Sequence, residues 1–139
     1  MDLNKKIDVV KDLFQKHLAK FTDPEMTKES YAELFTVDAI QEYPYAPKPY
    51  AKEVIGREAI TEYISNVTPT AKNWNFKNLR FSATDDPEVF YVEFEGSASV
   101  IATGKQYNQV YIGRITLKEN KISAYCEYWN PAWILDAFV

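Results

Sequence analysis

The residue in this sequence best placed to do chemistry is a carboxylate set among aromatic residues: Glu127, in the run Lys121-Ile-Ser-Ala-Tyr125-Cys-Glu127-Tyr-Trp129-Asn-Pro131. The run reads as a last strand, because aromatic and β-branched side chains suit a pleated, half-buried surface and Pro131 withholds an N–H from the ladder. Alternation puts Ser123, Tyr125, Glu127 and Trp129 on one face and Ile122, Ala124, Cys126 and Tyr128 on the other. Both faces are largely apolar, so both are covered, and Glu127 lies in a poorly hydrated place. A carboxylate there needs a partner, a proton or a ligand, and burial would lift it above its ordinary pKa of about 4.3. The competing reading is a solvated sheet end, or an ion pair with Arg57, Arg80 or Arg114.

Other chemistries lack their residues. One His17 and one Cys126 in 139 residues leave no histidine triad, disulfide or multi-cysteine zinc site, so neither a metal nor a nucleotide cofactor is expected. A net charge of −4 without a basic stripe argues against nucleic acid and anionic membranes. No apolar run has the length of a membrane span or the form of a signal peptide, so the expected compartment is the cytoplasm. Aromatic residues make up 15% of the chain, enough to wall a wide cavity or interface.

The elements that must position Glu127 follow from periodicity. Ile7, Val10, Phe14, Leu18 and Phe21 make one stripe on a helix over 3–21. His17 adjoins that stripe, from which it could reach into a cavity, but the favoured reading is a boundary histidine with an exposed ring edge. A short second helix ends near Phe35, with Tyr31, Leu34 and Phe35 inward. Ala39 to Tyr43 reads as a brief strand, after which Pro44-Tyr45-Ala-Pro-Lys-Pro-Tyr50 runs extended as a rigid crossing or as an aromatic lid. A third helix starts at Gly56 and turns Ile60, Tyr63, Ile64 and Val67 inward. From Trp74 the period switches to two through 75–84, 88–102, 106–117 and 121–129, punctuated by turns, which predicts an antiparallel meander. Helices followed by such strands form one α+β domain over 1–139, three N-terminal helices covering one face of a strongly curved sheet.

Glu33-Leu-Phe-Thr-Val-Asp-Ala39, Gly56-Arg-Glu-Ala-Ile60, Trp74-Asn-Phe-Lys-Asn-Leu-Arg-Phe81, Phe90-Tyr-Val-Glu-Phe-Glu-Gly96 and Glu127-Tyr-Trp-Asn-Pro131, in this order, resemble the SnoaL-like and ketosteroid-isomerase-like branch of the nuclear-transport-factor-2-like superfamily. The resemblance implies a conical α+β barrel on a mainly antiparallel mixed sheet, holding a small hydrophobic or aromatic molecule and paired as a homodimer through the outer sheet face. Where ketosteroid isomerases carry their base this sequence has Tyr43, and their second acid falls near Gly113. Similarity is closer to the phenazine-biosynthesis A/B proteins, whose pocket glutamate matches Glu127 and whose pocket histidine matches Tyr63.

Two functions follow from that resemblance. One is a cofactor-free isomerase, cyclase or dehydratase in which Glu127 moves protons and Tyr63 donates to a developing oxyanion, with Tyr43, Tyr45, Trp74, Phe76, Tyr111, Tyr125 and Trp129 contacting the substrate. The other is a ligand-binding or scaffold protein with the same cavity and no chemistry. Homodimerisation would cover Ile122, Ala124, Cys126 and Tyr128.

Overall fold

A computed structural model describes residues 2–139. The chain runs α1 (Leu3–Thr22), α2 (Lys28–Ala32), β1 (Phe35–Glu42), β2 (Glu53–Ile55), α3 (Arg57–Val67), a 3₁₀ turn (Thr68–Thr70), β3 (Ala71–Ala83), β4 (Val89–Val100), β5 (Gln106–Lys118), β6 (Lys121–Trp129) and α4 (Pro131–Phe138). The strands form one sheet in the order β2-β1-β6-β5-β4-β3. From β3 to β6 it is the expected meander, and β1 then pairs with β6 in parallel, which makes the sheet mixed.

Helix α1 begins where Asp2 caps Lys5 N–H at 2.9 Å, and it buries Val10, Leu13, Phe14, His17 and Leu18 against the sheet. Those positions step by three and one, the spacing of a single helical face. Phe14 is wholly buried at the centre, edge-on to Phe81 and Phe94 and 5.7 Å from the ring of Tyr125. The sheet bends around this helix because β3 is irregular twice, with Asn73 and Asn78 at φ 58° and 59°. Asparagine tolerates that left-handed conformation, and the bulges it permits bend a strand and sharpen its twist.

The structure departs from the sequence expectations in four places. The second helix stops at Ala32, and Phe35 instead opens β1, whose N–H and C=O groups are claimed by β2 and β6. The three-residue strand β2 arises between the Tyr- and Pro-rich run and the third helix, where no strand is expected, and pairs with Ile40, Gln41 and Glu42. An irregularity in β6 sets Ala124 opposite Thr116 but Ile122 opposite Leu117, so one extra residue, Ser123, reverses the alternation. Ile122 accordingly packs into the core with Phe35 and Tyr125 rather than lying outside, and Cys126 is also buried. Among the apolar residues left exposed are Val110, 54% accessible, and Ile112, 41%, both on the outer face of β5.

The fourth departure is α4. Pro131 ends the strand as expected, and Asn130-Pro131 is also a helix start: the Asn130 side chain accepts from Ala132 N–H at 2.9 Å and proline occupies the first turn, where no N–H is missed. Buried Gln109 grips the entry to this helix twice, its amide donating to Asn130 C=O at 3.0 Å and its carbonyl accepting from Asn130 N–H at 3.1 Å. Thr103 Oγ1 donates to Ala137 C=O at 2.6 Å and holds the far end. Truncating Phe14 to alanine removes the ring on which the α1–sheet contact rests, and urea unfolding should show a loss of about 3–5 kcal/mol, the usual cost of deleting a fully buried phenylalanine.

Candidate active site

A cavity of about 190 Å³ lies inside the curve of the sheet. Helix α1 supplies His17, Leu18 and Phe21, α3 supplies Tyr63, Ile64 and Val67, and the loop after β1 supplies Tyr43 and Tyr50. The strands contribute Trp74, Phe76, Phe94, Tyr107, Tyr111, Glu127 and Trp129, and α4 closes one end with Ile134 and Phe138. The walls are stiffened by ring contacts: Phe94 stacks on Tyr111 at 4.6 Å, Trp74 is parallel to Phe76 at 6.0 Å, and Phe21 meets Trp74 edge-on at 5.0 Å. A cavity of about 150 Å³ admits benzene, so this one suits a flat molecule of one to two rings.

Glu127 is the acidic residue in this wall. It is half-buried at the cavity, and Tyr125 Oη donates to its Oε2 at 2.6 Å. Burial pushes its carboxyl up to about 7, while the donor groups of Tyr125 and Trp129 pull in the opposite direction. At neutral pH the protonated and ionised forms are therefore both populated, the condition a general acid or base needs. The three arginines that could have neutralised it are engaged elsewhere. Arg80 binds Glu93 at 2.7 Å, Arg114 lies 4.0 Å from Glu42, and Arg57 donates to Phe35 C=O at 3.4 Å.

Gly113 makes the Tyr125 contact possible. It pairs with Glu127 across β5 and β6, and a Cβ there would sit 2.6 Å from Tyr125 Cε1 and 2.8 Å from its hydroxyl. The absent side chain is the space through which the Tyr125 ring crosses the neighbouring strand. Burial, and then the charge of Glu127, raise Tyr43, Tyr63 and Tyr125 above the ordinary tyrosine value. These phenols stay protonated at neutral pH, and Tyr43 donates to Gln41 and Tyr125 to Glu127. Tyr107 and Tyr111, their hydroxyls 3.0 Å apart, are raised by burial as well.

Of the residues singled out in the sequence, Glu127, Tyr63, Tyr43, Trp74, Phe76, Tyr111 and Trp129 line the cavity together. Tyr125 lies beneath it in the core and reaches it through the hydroxyl on Glu127. Tyr45 does not join them. The chain turns between Tyr43 and Ala46, whose N–H bonds Tyr43 C=O at 3.0 Å, so the two-residue alternation of an extended lid is broken. Tyr45 is left 57% exposed against the outer-face ring of Tyr128. His17 corrects a second expectation: its ring is buried and borders the cavity instead of offering an edge to solvent. Its placement between Phe14 and Phe21 on the apolar stripe was the signal. The contribution of α4 could have been found from the Asn-Pro start followed by Trp-Ile-Leu. Among the described residues no cluster of His, Cys, Asp and Glu could hold a metal ion, and no helix is long and apolar enough to cross a membrane.

A SnoaL-like domain model matches residues 14–125. The chain is 31% identical over 127 residues to the uncharacterized protein YesE of Bacillus subtilis (strain 168), covering 91% of this chain and 85% of that one. It is 29% identical over 107 residues to an uncharacterized PhzA/B-like protein of Pseudomonas aeruginosa, covering 77% of this chain and 75% of its relative. A solved structure of a candidate isomerase from Bacillus subtilis superposes with a TM-score of 0.81 at 28% identity, over 99% of this chain and 95% of the other.

The raised carboxyl has a measurable consequence for stability. A folded pKa of about 7 against an ordinary 4.5 means that the native state holds the proton more tightly, so stability falls as pH rises from the unfolded value through the folded one and levels off above it. Glu127→Gln removes that cost, about 3 kcal/mol at most. Denaturant unfolding of both proteins should show the variant gaining on wild type between pH 4 and pH 8, and the reverse trend would mean that the carboxylate is held by a cation.

Proposed function

The chain belongs to the SnoaL-like domain family, one of ligand-binding and isomerase or cyclase-type proteins, and from that premise we propose a cofactor-free catalyst of proton transfer on a small aromatic carbonyl compound. The observation that carries the reading is Glu127: a carboxyl with a pKa near neutrality, free of any cation among the described residues, opening on an aromatic cavity. In its ionised form it takes a proton from carbon beside the carbonyl. Protonated, it returns that proton to a conjugated carbon in isomerisation, to a departing oxygen in dehydration, or, in cyclisation, where the enolate carbon attacks a second carbonyl of the same molecule, to the alkoxide formed there. Tyr63, on α3 and protonated at neutral pH, donates to the oxygen on which charge develops.

The same cavity without chemistry is a binding site, and its largely apolar lining favours that second reading. Tight binding of aryl ketones without proton exchange would select it. The outer face of β5 suggests how copies of the chain associate: Val110 and Ile112 are exposed there beside Trp133, and we assign this face to a homodimer.

Exchange of the α-protons of 2-tetralone and related aryl ketones into deuterium oxide, followed by proton NMR, tests the catalytic reading. Wild type should accelerate exchange with a rate that rises through an apparent pKa near 7 and then stays level, since the carboxylate is the base. Glu127→Gln should lose 10²-fold or more of the acceleration, the range general-base catalysis contributes (roughly 10²–10⁴-fold). Exchange that is independent of pH and of this substitution would overturn it. Sedimentation should give twice 16.1 kDa for wild type and 16.1 kDa for Ile112→Glu.

A further inference from the structure

Behind the cavity wall lies a row of buried polar groups that Glu127 does not touch. Tyr43 Oη donates to Gln41 Oε1 at 2.5 Å. Gln41 is wholly buried, and its Nε2 faces the Tyr31 hydroxyl without completing a hydrogen bond, which leaves it one of two buried side-chain atoms lacking a partner among the described residues. The Tyr31 hydroxyl in turn lies 2.7 Å from Nδ1 of His17. Tyr43 and His17 both border the cavity, whereas Gln41 and Tyr31 lie behind it.

The row has a direction. Tyr43 occupies the carbonyl side of the Gln41 amide, so the amide N–H side is turned to the Tyr31 oxygen, and the Tyr31 proton is directed to Nδ1 of His17. Desolvation holds His17 down at about 4, so the ring is neutral at physiological pH and carries one N–H. With Nδ1 accepting, that proton is on Nε2. This tautomer is assigned from the network of partners. Nε2 has no partner among the described residues and yet is not among the fully buried unsatisfied atoms, so it opens on the cavity that the ring borders.

We propose that His17 is the residue that reads the ligand's carbonyl: its Nε2–H, fixed as a donor by Tyr31 and Gln41, hydrogen-bonds the oxygen of an aromatic ketone or aldehyde in the cavity. This deepens the catalytic reading and rests on it for the chemical step. As Glu127 takes the α-proton, the C–H electron pair becomes the enolate double bond and the carbonyl pair moves onto oxygen. The imidazole N–H meets the charge there without giving up its proton. The ring donates here in its neutral form, because burial among Phe14, Phe21 and Tyr125 opposes the charged ring. Tyr63, only part-buried, serves the more open side of the cavity, and His17 the buried side.

His17 is the single histidine of the chain, so its ring nitrogens are unambiguous in a long-range ¹H–¹⁵N correlation spectrum. At pH 7 wild type should show a protonated Nε2 and a bare Nδ1; a protonated Nδ1 overturns the proposal without any variant being made. Calorimetric titration with 2-acetylnaphthalene and with 2-ethylnaphthalene, of the same shape without the acceptor, should favour the ketone about tenfold, the equivalent of one net hydrogen bond. His17→Phe should lower that ratio about threefold or more, with Tyr63 left as the remaining donor. His17→Gln, which keeps a donor, should restore part of it, and this variant guards against a phenylalanine that fails to fold. A ratio near one in wild type, a ratio unchanged in His17→Phe, or failure of wild type to bind either compound also overturns the assignment. Deuterium exchange reads Glu127 and the ketone-to-hydrocarbon ratio reads His17, so either can fail while the other stands.

Discussion

An unpaired carboxylate inside an aromatic cone is the constraint around which this structure is arranged. Left ionised in a dry pocket, Glu127 would oppose folding; the chain answers with a phenol at 2.6 Å and a raised pKa rather than with a cation. Each arginine near the sheet has a partner outside the cavity. A guanidinium inside would have stabilised the charge and drawn the carboxyl back down. Gly113 belongs to the same solution, because only a missing side chain lets Tyr125 cross β5 to reach its acceptor.

The shape of the cavity follows from bending a sheet around one helix. Bulges at Asn73 and Asn78 turn β3 over α1, and the parallel contact of β1 with β6 fastens the other side. Aromatic rings then fill the curve from both sides, which accounts for the large aromatic fraction: they supply the core and the walls with the same faces. Phe14 and Phe94 sit in the core, and Phe94 also borders the cavity stacked on Tyr111. Core packing and ligand contact are thus one layer, so substitutions in the wall change stability and binding together.

Two polar systems meet in this apolar space, the His17 ring 5.3 Å from that of Tyr125. Glu127 and Tyr125 come from β6, while His17 and Tyr43 are joined through Tyr31 and Gln41 behind α1 and β1. Each is satisfied almost entirely within the protein, and each leaves one group turned to the cavity. Such an arrangement orients the groups before a ligand arrives, so that little reorganisation accompanies binding.

Glu127 could be recognised from the sequence because alternation and aromatic neighbours are local: two faces of one strand, both apolar, with a charge among them. The helical stripe of α1, the meander and the wall positions of Tyr43, Tyr63, Trp74, Phe76, Tyr111 and Trp129 were legible for the same reason. Positions that depend on a single irregular residue were not. Ser123 reverses the parity of β6 and takes Ile122 inward, the turn after Tyr43 throws Tyr45 outside, and hydrogen bonds from β6 and β2 convert the end of a helical pattern at Phe35 into a strand. Nor could the sequence show that His17 meets Tyr31, fourteen residues away, or that no arginine meets Glu127. Periodicity reports which face of an element is apolar, a property of neighbours in the chain. Which polar groups share a dry space depends on how the sheet curves and how helices lie across it, and those are settled only when distant segments pack.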